Sequence, residues 1–480
     1  MTHKPTEEQQ AIIDAARTTN DNLIVSALAG AAKTSTLVML AEALTPTTML
    51  CLAFNKKIAE EMKTRLPANC TALTLNSLGH RAWMEACSAR VTLDTKKNFN
   101  NLSALVSELP KAEKEYAGEN FSDILSAIDS GKAAGYIPTG HYKQVKPLVG
   151  DDDFFGGLDD DIGRIGEKLV REATLKSIEQ SMKGLIDFGD QIFMPTLFPA
   201  MFPTFPVVMI DEAQDLSALN HRLLAKLVRN RRLIAVGDPN QAIYGFRGAD
   251  EASMPTMQQR FDMKPYTLSI SFRCPQAVVK EARWRTPNMQ YPEWAKVGEV
   301  KTLTEWSVTD VPQNAAIICR NNAPLFSMAI KLLKNGRYPQ IIGNDIGKYL
   351  VKTMKKFGNS SMKRDEVLIA ITKWADEKKK KTRSPDKVED QAVCLRVFAE
   401  QGEDLGGAIA YAEHIFASQG PTLLMTGHKS KGLEYDDVFI LDRHLLRLEP
   451  GSQDNNLLYV MQTRAKETLT YVSTENFTEN

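Results

Sequence analysis

Asn22-Leu-Ile-Val-Ser-Ala-Leu-Ala-Gly-Ala-Ala-Lys-Thr34 is the stretch that decides the fold. Its first six residues form an apolar run typical of a short buried strand, and leucines recur at helical spacing from Thr34 to Leu44. The turn between them consists of small residues. A strand, a tight turn and a helix start in this order direct backbone N–H groups towards an anion, so the stretch predicts a phosphate-binding turn.

Two residues of this turn carry the expected chemistry. Lys33 would place a positive charge at the β- and γ-phosphates, and the Thr34 hydroxyl would bind Mg²⁺. The pattern departs from G-x-x-x-x-G-K-[ST], because Ala27 and Ala32 stand where glycines are expected. If position 32 needs a positive φ, alanine costs on the order of 1 kcal/mol there. Taken alone, the stretch is also compatible with an ordinary helix start that happens to contain a lysine.

A second strand, at 207–210, runs directly into Asp211-Glu-Ala-Gln-Asp215. At the carboxyl end of a strand, Asp211 can hold Mg²⁺ and Glu212 can orient and deprotonate an attacking water. Acidic residues in this position can also simply complement a helix N-terminus, as Asp215 could. Together with the phosphate-binding turn, the acidic segment favours a nucleotide site.

Strand and helix patterns alternate along the rest of the chain. We predict strands at 22–27, 48–54, 205–210, 232–236, 315–319, 423–425 and 438–441, and helices at 34–44, after 54 to about 66, at 326–333 and at 456–465. Strands that are apolar on both faces and alternate with helices indicate parallel sheets with crossover helices. The fold class is therefore α/β, with two cores.

Each core is interrupted by a segment of different character. We expect the first core at 1–85 and 186–255, with a mainly helical insertion at 86–185, and the second core at 256–345 and 420–480, with a small insertion at 346–419. The acidic triplets 151–153 and 159–161 are interpreted as a solvated loop. Residues 346–383 carry 12 Lys/Arg against 4 Asp/Glu, and the run 378–381 is interpreted as a solvated loop in preference to a DNA contact.

The composition excludes several classes of protein. The chain has 480 residues, with 59 Lys+Arg and 59 Asp+Glu, so it cannot bind nucleic acid through overall basicity. No apolar run is long enough to span a membrane, and the polar N-terminus does not resemble a secretion signal. The six cysteines lack C-x-x-C spacing, which argues against zinc sites and disulfides and favours a reducing intracellular compartment.

Several motifs, in a fixed order, resemble those of superfamily 1 DNA helicases of the UvrD/PcrA/Rep type, and the short chain resembles the F-box-helicase or phage branch. The blocks span almost the whole chain: Thr6-Glu-Glu-Gln9, Ala53-Phe-Asn-Lys56, Thr74-Leu-Asn-Ser-Leu78, Asp187-Phe-Gly-Asp190, Asp211-Glu-Ala-Gln-Asp215, Gly237-Asp-Pro-Asn-Gln-Ala-Ile-Tyr-Gly-Phe-Arg247, Leu268-Ser-Ile-Ser-Phe-Arg273, Thr426-Gly-His-Lys-Ser-Lys-Gly-Leu-Glu434 and Tyr459-Val-Met-Gln-Thr-Arg464. The resemblance implies two RecA-like cores of a P-loop NTPase.

The resemblance also implies roles for individual residues. For ATP and Mg²⁺ these are Gln9 at the adenine; Ala29, Gly30, Ala31, Ala32, Lys33, Thr34 and Ser35 at the phosphates; Thr34 and Asp211 at the metal; Glu212 as catalytic base; Gln241 beside the γ-phosphate; Arg273 and Arg464 as arginine fingers; and Glu434 at the ribose or in the coupling of its motif to DNA. For DNA they are Phe54, Asn55, Ser77, Tyr244, Phe246, Arg247, Phe272 and His428. Each isolated aromatic residue could instead be a core residue.

The implied function is ATP-dependent movement on single-stranded DNA, 3′-to-5′ by analogy, with duplex unwinding. The expected partners are single-stranded DNA and its junctions with duplex, in the cytoplasm, in replication or repair. A protein that binds ATP, hydrolyses it poorly and clamps single-stranded DNA is the alternative, and RNA is a possible track. The second insertion is much shorter than in the larger family members, which removes the basis for assigning it their regulatory role.

Overall fold

The computed structural model describes residues 4–158, 160–245, 252–380, 382 and 385–478. Four residues singled out above, Phe246, Arg247, Asp159 and Lys381, lie outside this part of the chain. The protein divides into two compact units. Unit 1 comprises residues 1–27 and 32–268, and unit 2 comprises residues 28–31 and 269–480.

Unit 1 is built on a six-stranded parallel sheet with the order β3-β2-β6-β7-β1-β8. Every residue of the central strands β2 and β6 is buried, as expected for strands covered on both faces. A separate two-stranded ribbon, β4 with β5, lies at the two ends of the insertion. The strands are β1 (Asn22–Ala27), β2 (Met49–Ala53), β3 (Cys70–Thr74), β4 (Thr92–Leu93), β5 (Leu185–Ile186), β6 (Val207–Ile210), β7 (Arg232–Gly237) and β8 (Met263–Leu268).

Helices connect these strands and form the first insertion, which has its own apolar core. The insertion is helical, as predicted. The helices of unit 1 are α1 (Glu7–Thr18), α2 (Lys33–Ala43), α3 (Lys56–Arg65), α4 (Leu75–Ala86), α5 (Lys97–Ser107), α6 (Lys111–Glu119), α7 (Phe121–Ala134), α8 (Asp151–Gly156), α9 (Gly163–Met182), α10 (Asp190–Leu197), α11 (Ala218–Leu227) and α12 (Ser253–Arg260), with 3-10 turns at Ala213–Asp215 and Pro239–Gln241.

Unit 2 contains a second six-stranded parallel sheet, with the order β11-β12-β10-β13-β14-β9. Two parallel sheets with crossover helices confirm the predicted fold class of two RecA-like cores. The elements are β9 (Glu299–Thr302), β10 (Ala316–Cys319), β11 (Pro339–Ile341), β12 (Thr422–Thr426), β13 (Tyr435–Leu441) and β14 (Ala465–Val472), with α13 (Gln276–Ala282), α14 (Asn322–Lys334), α15 (Asn344–Met354), α16 (Arg364–Lys379), α17 (Pro385–Ala399), α18 (Leu405–Ala417), α19 (Gly427–Ser430) and α20 (Gln453–Gln462), and 3-10 turns at Val308–Asp310, Arg443–Leu445 and Thr474–Asn476.

The second insertion consists of the four helices α15 to α18, and these share one hydrophobic core with the sheet of unit 2. Three phenylalanines mark the junction. Phe326 of α14 packs against Phe398 of α17 and Phe416 of α18, with ring centroids 5.3 Å apart in both pairs. The described helices of the insertion are therefore part of the core of unit 2.

The structure corrects three predictions. Residues 263–268, assigned above to the second core, form β8 at the edge of the first sheet, and their polar pattern explains why no buried strand was recognised. The triplet 151–153 begins α8, where Asp151 accepts hydrogen bonds from Tyr136 and from Arg171. Lys378 and Lys379 are the last turn of α16, where Lys379 pairs with Glu389.

A buried cluster of ion pairs joins the first insertion to the sheet of unit 1. Lys97 of α5 donates to the Asp190 carboxylate at 2.7 Å, and Lys132 of α7 lies 2.8 Å from the other oxygen of Asp190 and also pairs with Asp187. The Lys97 and Asp190 side chains are fully buried. Burial lowers the pKa of Lys97 to about 8, although Asp190 opposes the change.

The pKa of Asp190 falls below its ordinary value. Burial raises this pKa, but the two lysines lower it by more. Because the folded-state pKa is depressed, the carboxylate contributes stability above its unfolded pKa near 3.8 and loses that contribution as the pH falls through the lower folded value. The cluster thus makes the attachment of the insertion sensitive to acid.

We expect Asp190→Asn to lower the free energy of unfolding by about 3–5 kcal/mol at pH 7, because it leaves two buried lysines short of a charge partner. Urea denaturation of the full chain measures this. The difference from wild type should shrink below about pH 4 as the wild-type carboxylate becomes protonated. Asp152→Asn, at an exposed carboxylate that forms no ion pair within the described residues, is the control; an equal loss in that variant would contradict the role of the cluster.

Candidate active site

Two predicted nucleotide-binding residues of unit 1, Lys33 and Asp211, and a third acidic residue, Asp238, follow three adjacent strands of its sheet. Lys33 follows β1, Asp211 follows β6 and Asp238 follows β7, and these strands stand in the order β6-β7-β1. Since all three are parallel, their carboxyl ends meet at the same edge. Ligands of open α/β sheets bind at this edge, where helix N-termini and strand ends present polar groups.

Lys33 and Thr34 contact the two acidic residues expected to work with them. Lys33 Nζ lies 2.8 Å from Glu212 Oε2, and the Thr34 hydroxyl donates to Asp211 Oδ2 at 3.4 Å. Asp211 is buried, whereas Glu212 is partly accessible to solvent. The structure therefore brings together residues that lie almost 180 positions apart in the sequence.

The charged groups at this edge shift one another's pKa values. Burial and the neighbouring Glu212 raise the pKa of Asp211 to about 7, against the effect of Lys33. Burial lowers the pKa of Lys33, but the combined attraction of Glu212, Asp211 and Asp238 outweighs it and raises that pKa overall. Burial also raises the pKa of Asp238. The edge is thus a buried cation surrounded by carboxylates.

Two residues that the sequence analysis quoted within motifs, without giving them a role, connect this cluster. Gln214 Nε2 donates to Glu212, and the Asp238 amide donates to Gln214 Oε1 at 3.0 Å. Asp238 in turn accepts a hydrogen bond from Gln241 Nε2 at 2.7 Å. A continuous polar chain therefore runs from Lys33 to Gln241. Gln214 and Asp238 lie inside the two most specific sequence motifs, and that position could have identified them as site residues from the sequence.

Gln9 is buried and its side chain is fully engaged within unit 1. Its side-chain oxygen accepts from the Thr6 amide at 3.0 Å, which completes a capping box at the start of α1, and its Nε2 donates to Thr36 Oγ1 at 3.0 Å. Ser35 accepts from Arg65 at 2.9 Å. In this conformation Gln9 links α1 to α2, and each end of its amide keeps one further hydrogen-bonding site.

The small-residue turn contains one strained position. Ala32, the N-cap of α2, has φ 56° and ψ 40°, in the left-handed region that the sequence analysis considered. Gly30 also has a positive φ, of 75°, and a Cβ atom there would lie 2.5 Å from Ser271 Oγ. Glycine is therefore required at position 30 on two counts, whereas the alanine at 32 is tolerated at a cost in backbone energy.

Residues 28–31 of the turn belong to unit 2. The Ala29 amide donates to the Tyr459 hydroxyl at 2.9 Å, and the Gly30 carbonyl accepts from the Phe272 amide at 2.9 Å. Ala31 donates to Leu28 within the turn itself. The amide of Ala29 is thus occupied in this conformation, and Tyr459, to which no role was assigned, is a contact of the phosphate-binding turn.

The two arginines expected at the γ-phosphate are both held within unit 2. Arg273 Nε lies 2.6 Å from Glu434 Oε2, so two residues predicted to contact the nucleotide pair with each other. Arg464 is only 1% exposed and donates to the carbonyl oxygens of Val460 and Leu433 at 2.8 and 3.1 Å. Arg464 thereby ties α20 to the loop that precedes β13.

Two of the predicted DNA contacts of unit 1 form an aromatic pair. The rings of Phe54 and Tyr244 are parallel to within 3°, with centroids 6.3 Å apart, and Phe54 is 48% exposed. Phe54 follows β2, and Tyr244 follows Gln241 by three residues. Asn55 caps α3 by accepting from the Ile58 amide, and the Ser77 amide donates to Thr74, the N-cap of α4. All four thus lie near carboxyl ends of strands.

The predicted DNA contacts of unit 2 are Phe272 and His428. Phe272 is 37% exposed, and its ring lies over Trp294, with centroids 6.2 Å apart and an interplanar angle of 24°. Trp294 is exposed and was not predicted. His428 lies in the short helix α19. Phe246 and Arg247 lie outside the described residues.

The donor set after β1 and β6 fits a magnesium ion. A hydroxyl from Thr34 and a carboxylate from Asp211 approach each other here, and a second buried carboxylate, Asp238, is close enough to affect Lys33. Hard oxygen ligands of this kind suit Mg²⁺, which keeps several waters and is bound by one or two carboxylates plus phosphate oxygens.

Two family descriptions match parts of this chain. Residues 6–133 and 172–262 match the family described as UvrD/REP helicase N-terminal domain, and residues 421–472 match the UvrD-like helicase C-terminal domain. The interruption between the two N-terminal matches falls inside the first insertion. No helix within the described residues has the length and apolar character needed to cross a membrane.

Individual relatives match nearly the whole chain. F-box DNA helicase protein 1 of Schizosaccharomyces pombe is 23% identical over 97% of this chain and 57% of its own length. F-box DNA helicase 1 of Gallus gallus is 25% identical over 97% of this chain and 49% of its own length. A probable DNA helicase II homolog of Mycoplasma pneumoniae is 25% identical over 49% of this chain. The chain spans about half the length of the two F-box relatives.

We expect Ala32→Gly to raise the free energy of unfolding by up to about 1 kcal/mol, because glycine adopts the left-handed conformation without the steric cost paid by alanine. Ala31→Gly is the matched control: Ala31 is buried and has a negative φ, so the same change should lower stability there. Chemical denaturation measures the free energy of unfolding of both variants. If Ala32→Gly lost as much stability as the control, the conclusion that the backbone is strained at Ala32 would be wrong.

Proposed function

This chain belongs to the UvrD/Rep family of DNA helicases, and we propose that it couples ATP hydrolysis to 3′-to-5′ movement along single-stranded DNA and to the separation of duplex. The contact of Lys33 and Thr34 with Glu212 and Asp211 is the observation that carries this proposal. It supplies, at one sheet edge, a cation for phosphates, oxygen ligands for a metal and a carboxylate base. The direction of movement rests on family analogy alone.

Within this proposal the residues of unit 1 have distinct tasks. Thr34 and Asp211 would hold Mg²⁺, which when bound neutralises charge on the β- and γ-phosphates. Lys33 binds the same phosphates, and Glu212 accepts a proton from the attacking water. Because Lys33 and Glu212 now pair at 2.8 Å, an arriving phosphate must compete for the lysine, and that exchange releases the carboxylate for its role as base.

The polar chain offers a route from the nucleotide to DNA. Gln241 is bonded to Asp238, and Tyr244 follows three residues later with its ring parallel to Phe54. A change at the γ-phosphate that shifts Gln241 would therefore shift one ring of the aromatic pair. We propose that bases of the DNA strand stack on this pair, and that Asn55, Ser77, Phe272 and His428, with Phe246 and Arg247, extend the track.

We further propose that ATP favours a closed arrangement of the two cores and that hydrolysis releases it. Arg273 and Arg464 would then stabilise negative charge on the transferred phosphoryl group, as planar guanidinium groups do in related reactions. Arg273 would have to leave Glu434 for this purpose, and the buried Arg464 would have to exchange backbone partners. Glu434 would then be available to the ribose, and Gln9 to the adenine.

A second candidate function is an ATP-dependent clamp on single-stranded DNA with little turnover. The strained Ala32 favours it because of its cost in backbone energy, and the occupied Ala29 amide and the buried Arg464 favour it because both would have to exchange partners to contact a nucleotide. In either case the proposed partners are single-stranded DNA and its junctions with duplex, inside the cell, in replication or repair. A comparison of how strongly RNA and single-stranded DNA stimulate the ATPase activity tests whether RNA is the track instead.

Wild-type protein should release phosphate from ATP faster when single-stranded DNA is added, and Lys33→Ala should reduce that rate by at least about 100-fold, since it removes a charge aimed at the reacting phosphates. Glu212→Gln should reduce turnover while leaving ATP binding measurable. Lys63→Ala, at an exposed lysine that pairs with its helix neighbour Glu60, is the control. ATP and DNA binding by the wild type without stimulated phosphate release would favour the clamp.

Phe54→Ala should weaken binding of single-stranded DNA by roughly 5- to 150-fold, which corresponds to about 1–3 kcal/mol of base stacking. Phe99→Ala is a matched control, because Phe99 is also 48% exposed but lies in the first insertion. The dependence of affinity on salt should be the same in wild type and Phe54→Ala, since the ring releases no counterions. A wild-type salt dependence as steep as that of a protein with 6–10 phosphate contacts would contradict a track that relies on stacking.

A further inference from the structure

A cleft of about 660 Å³ lies in unit 1, away from the residues assigned to ATP and DNA. Its lining comes from the loop before α8, the ends of α9 and α10, and α11: Tyr142, Lys143, Gln144, Val145, Met182, Leu197, Phe198, Pro199 and Lys226. Lys226 stands near the end of α11, which leads into the amino end of β7. The cleft is therefore towards the sheet edge opposite to Lys33 and Asp211.

The floor of the cleft is apolar. Leu197 and Phe198 are buried and belong to the main hydrophobic core of unit 1, while Met182 is 39% exposed. The Tyr142 ring meets Phe198 edge to face, with centroids 5.4 Å apart. Tyr142 also has a φ of 50°, an uncommon conformation for a bulky residue and one that tends to be retained at functional positions.

The rim of the cleft is basic. Lys143 and Lys226 line it, and Arg222 lies one turn before Lys226 on α11 and donates to the carbonyl oxygen of Lys146 at 2.6 Å. Among the described residues, none of these three cations forms an ion pair with a carboxylate. The Lys226 ammonium instead donates to three carbonyl oxygens at the end of α10, of Pro195, Thr196 and Phe198.

The basic groups of the rim also repel each other. Burial lowers the pKa of Lys226, and the nearby Arg222 lowers it further. Burial likewise lowers the pKa of Arg222, with a contribution from Arg260. Burial raises the pKa of Tyr142, and the nearby carboxylate of Glu179 raises it further. An anionic partner would relieve the repulsion between these cations.

We propose that this cleft docks a partner protein through a short acidic peptide segment that carries bulky apolar side chains. The apolar floor would receive the apolar side chains, and the cations of the rim would attract the flanking carboxylates. Apolar surface with a polar rim is typical of protein interaction sites, and the volume is in the range of clefts that bury a few side chains. The proposal does not depend on the ATPase or helicase activity.

A peptide fits these observations better than a nucleic acid strand does. Single-strand sites combine basic grooves with aromatic faces on which bases stack. In this lining Phe198 is buried and Tyr142 turns its edge or face towards Phe198, while the rest of the floor is aliphatic or thioether. Such a floor suits aliphatic and aromatic side chains of a peptide.

Fluorescence anisotropy with the full chain tests the proposal. The probe is a labelled peptide, Asp-Asp-Asp-Phe-Leu-Asp-Asp, and its partner probe has Ser-Ser in place of Phe-Leu. Wild type should bind the first peptide at least about tenfold more tightly than the second, and added salt should weaken the binding. Lys143→Glu should weaken it at least about tenfold, and so should Val145→Asp. Lys111→Glu, at an exposed lysine of α6 without an ion pair among the described residues, should bind as wild type does.

Three outcomes would overturn the proposal: no binding of the acidic peptide, equal binding of both peptides, or equal binding by wild type and Lys143→Glu. Unfolding curves of each variant show whether a loss reflects misfolding, and Lys143→Glu is expected to fold because its side chain is exposed. A labelled single-stranded oligonucleotide is the second arm. If Lys143→Glu weakens that probe and wild type does not bind the peptide, the cleft is a nucleic-acid site and the peptide proposal is wrong.

Discussion

The neutralisation of one largely buried cation is the main electrostatic constraint on the carboxyl edge of the sheet in unit 1. Lys33 sits at the carboxyl edge of the sheet, where only nearby carboxylates offset the cost of its burial. Glu212 supplies the direct partner. Asp238 follows β7, which lies beside β1, and Asp211 follows β6, one strand further along, so the strand order β6-β7-β1 brings these carboxylates near the lysine. The same charges make the edge a site for the phosphates of a nucleotide.

The sequence predicted the two cores because their central strands are continuous apolar runs. The predicted strand at 22–27 coincides with β1, and those at 232–236 and 315–319 match β7 and β10 to within a residue. The edge strands β3, β8, β9 and β11 were missed, since edge strands carry polar residues that resemble loops. Edge strands are specified by their neighbours in the sheet, and pattern alone does not reveal those neighbours.

For the candidate site, the sequence pointed to individual residues but not to their hydrogen-bond partners. Motif order identified Lys33, Thr34, Asp211 and Glu212, and the structure places these four together. The partners of each residue could not be predicted, because hydrogen bonds such as those of Gln9 with Thr36 and Arg464 with Val460 depend on side-chain positions in the folded chain. The ion pair of Asp190 with Lys97 is a further example. The sequence motif drew attention to Asp190, but only the folded structure identified Lys97 as its partner.

The core shared by the second insertion and the sheet of unit 2 restricts how this part of the chain can change during evolution. Phe398 and Phe416 of the insertion fill space beside Phe326 of the sheet layer, so neither side is a finished surface without the other. Replacing the inserted helices alone would leave Phe326 of α14 without these two contacts, so a stable exchange would also need changes on α14.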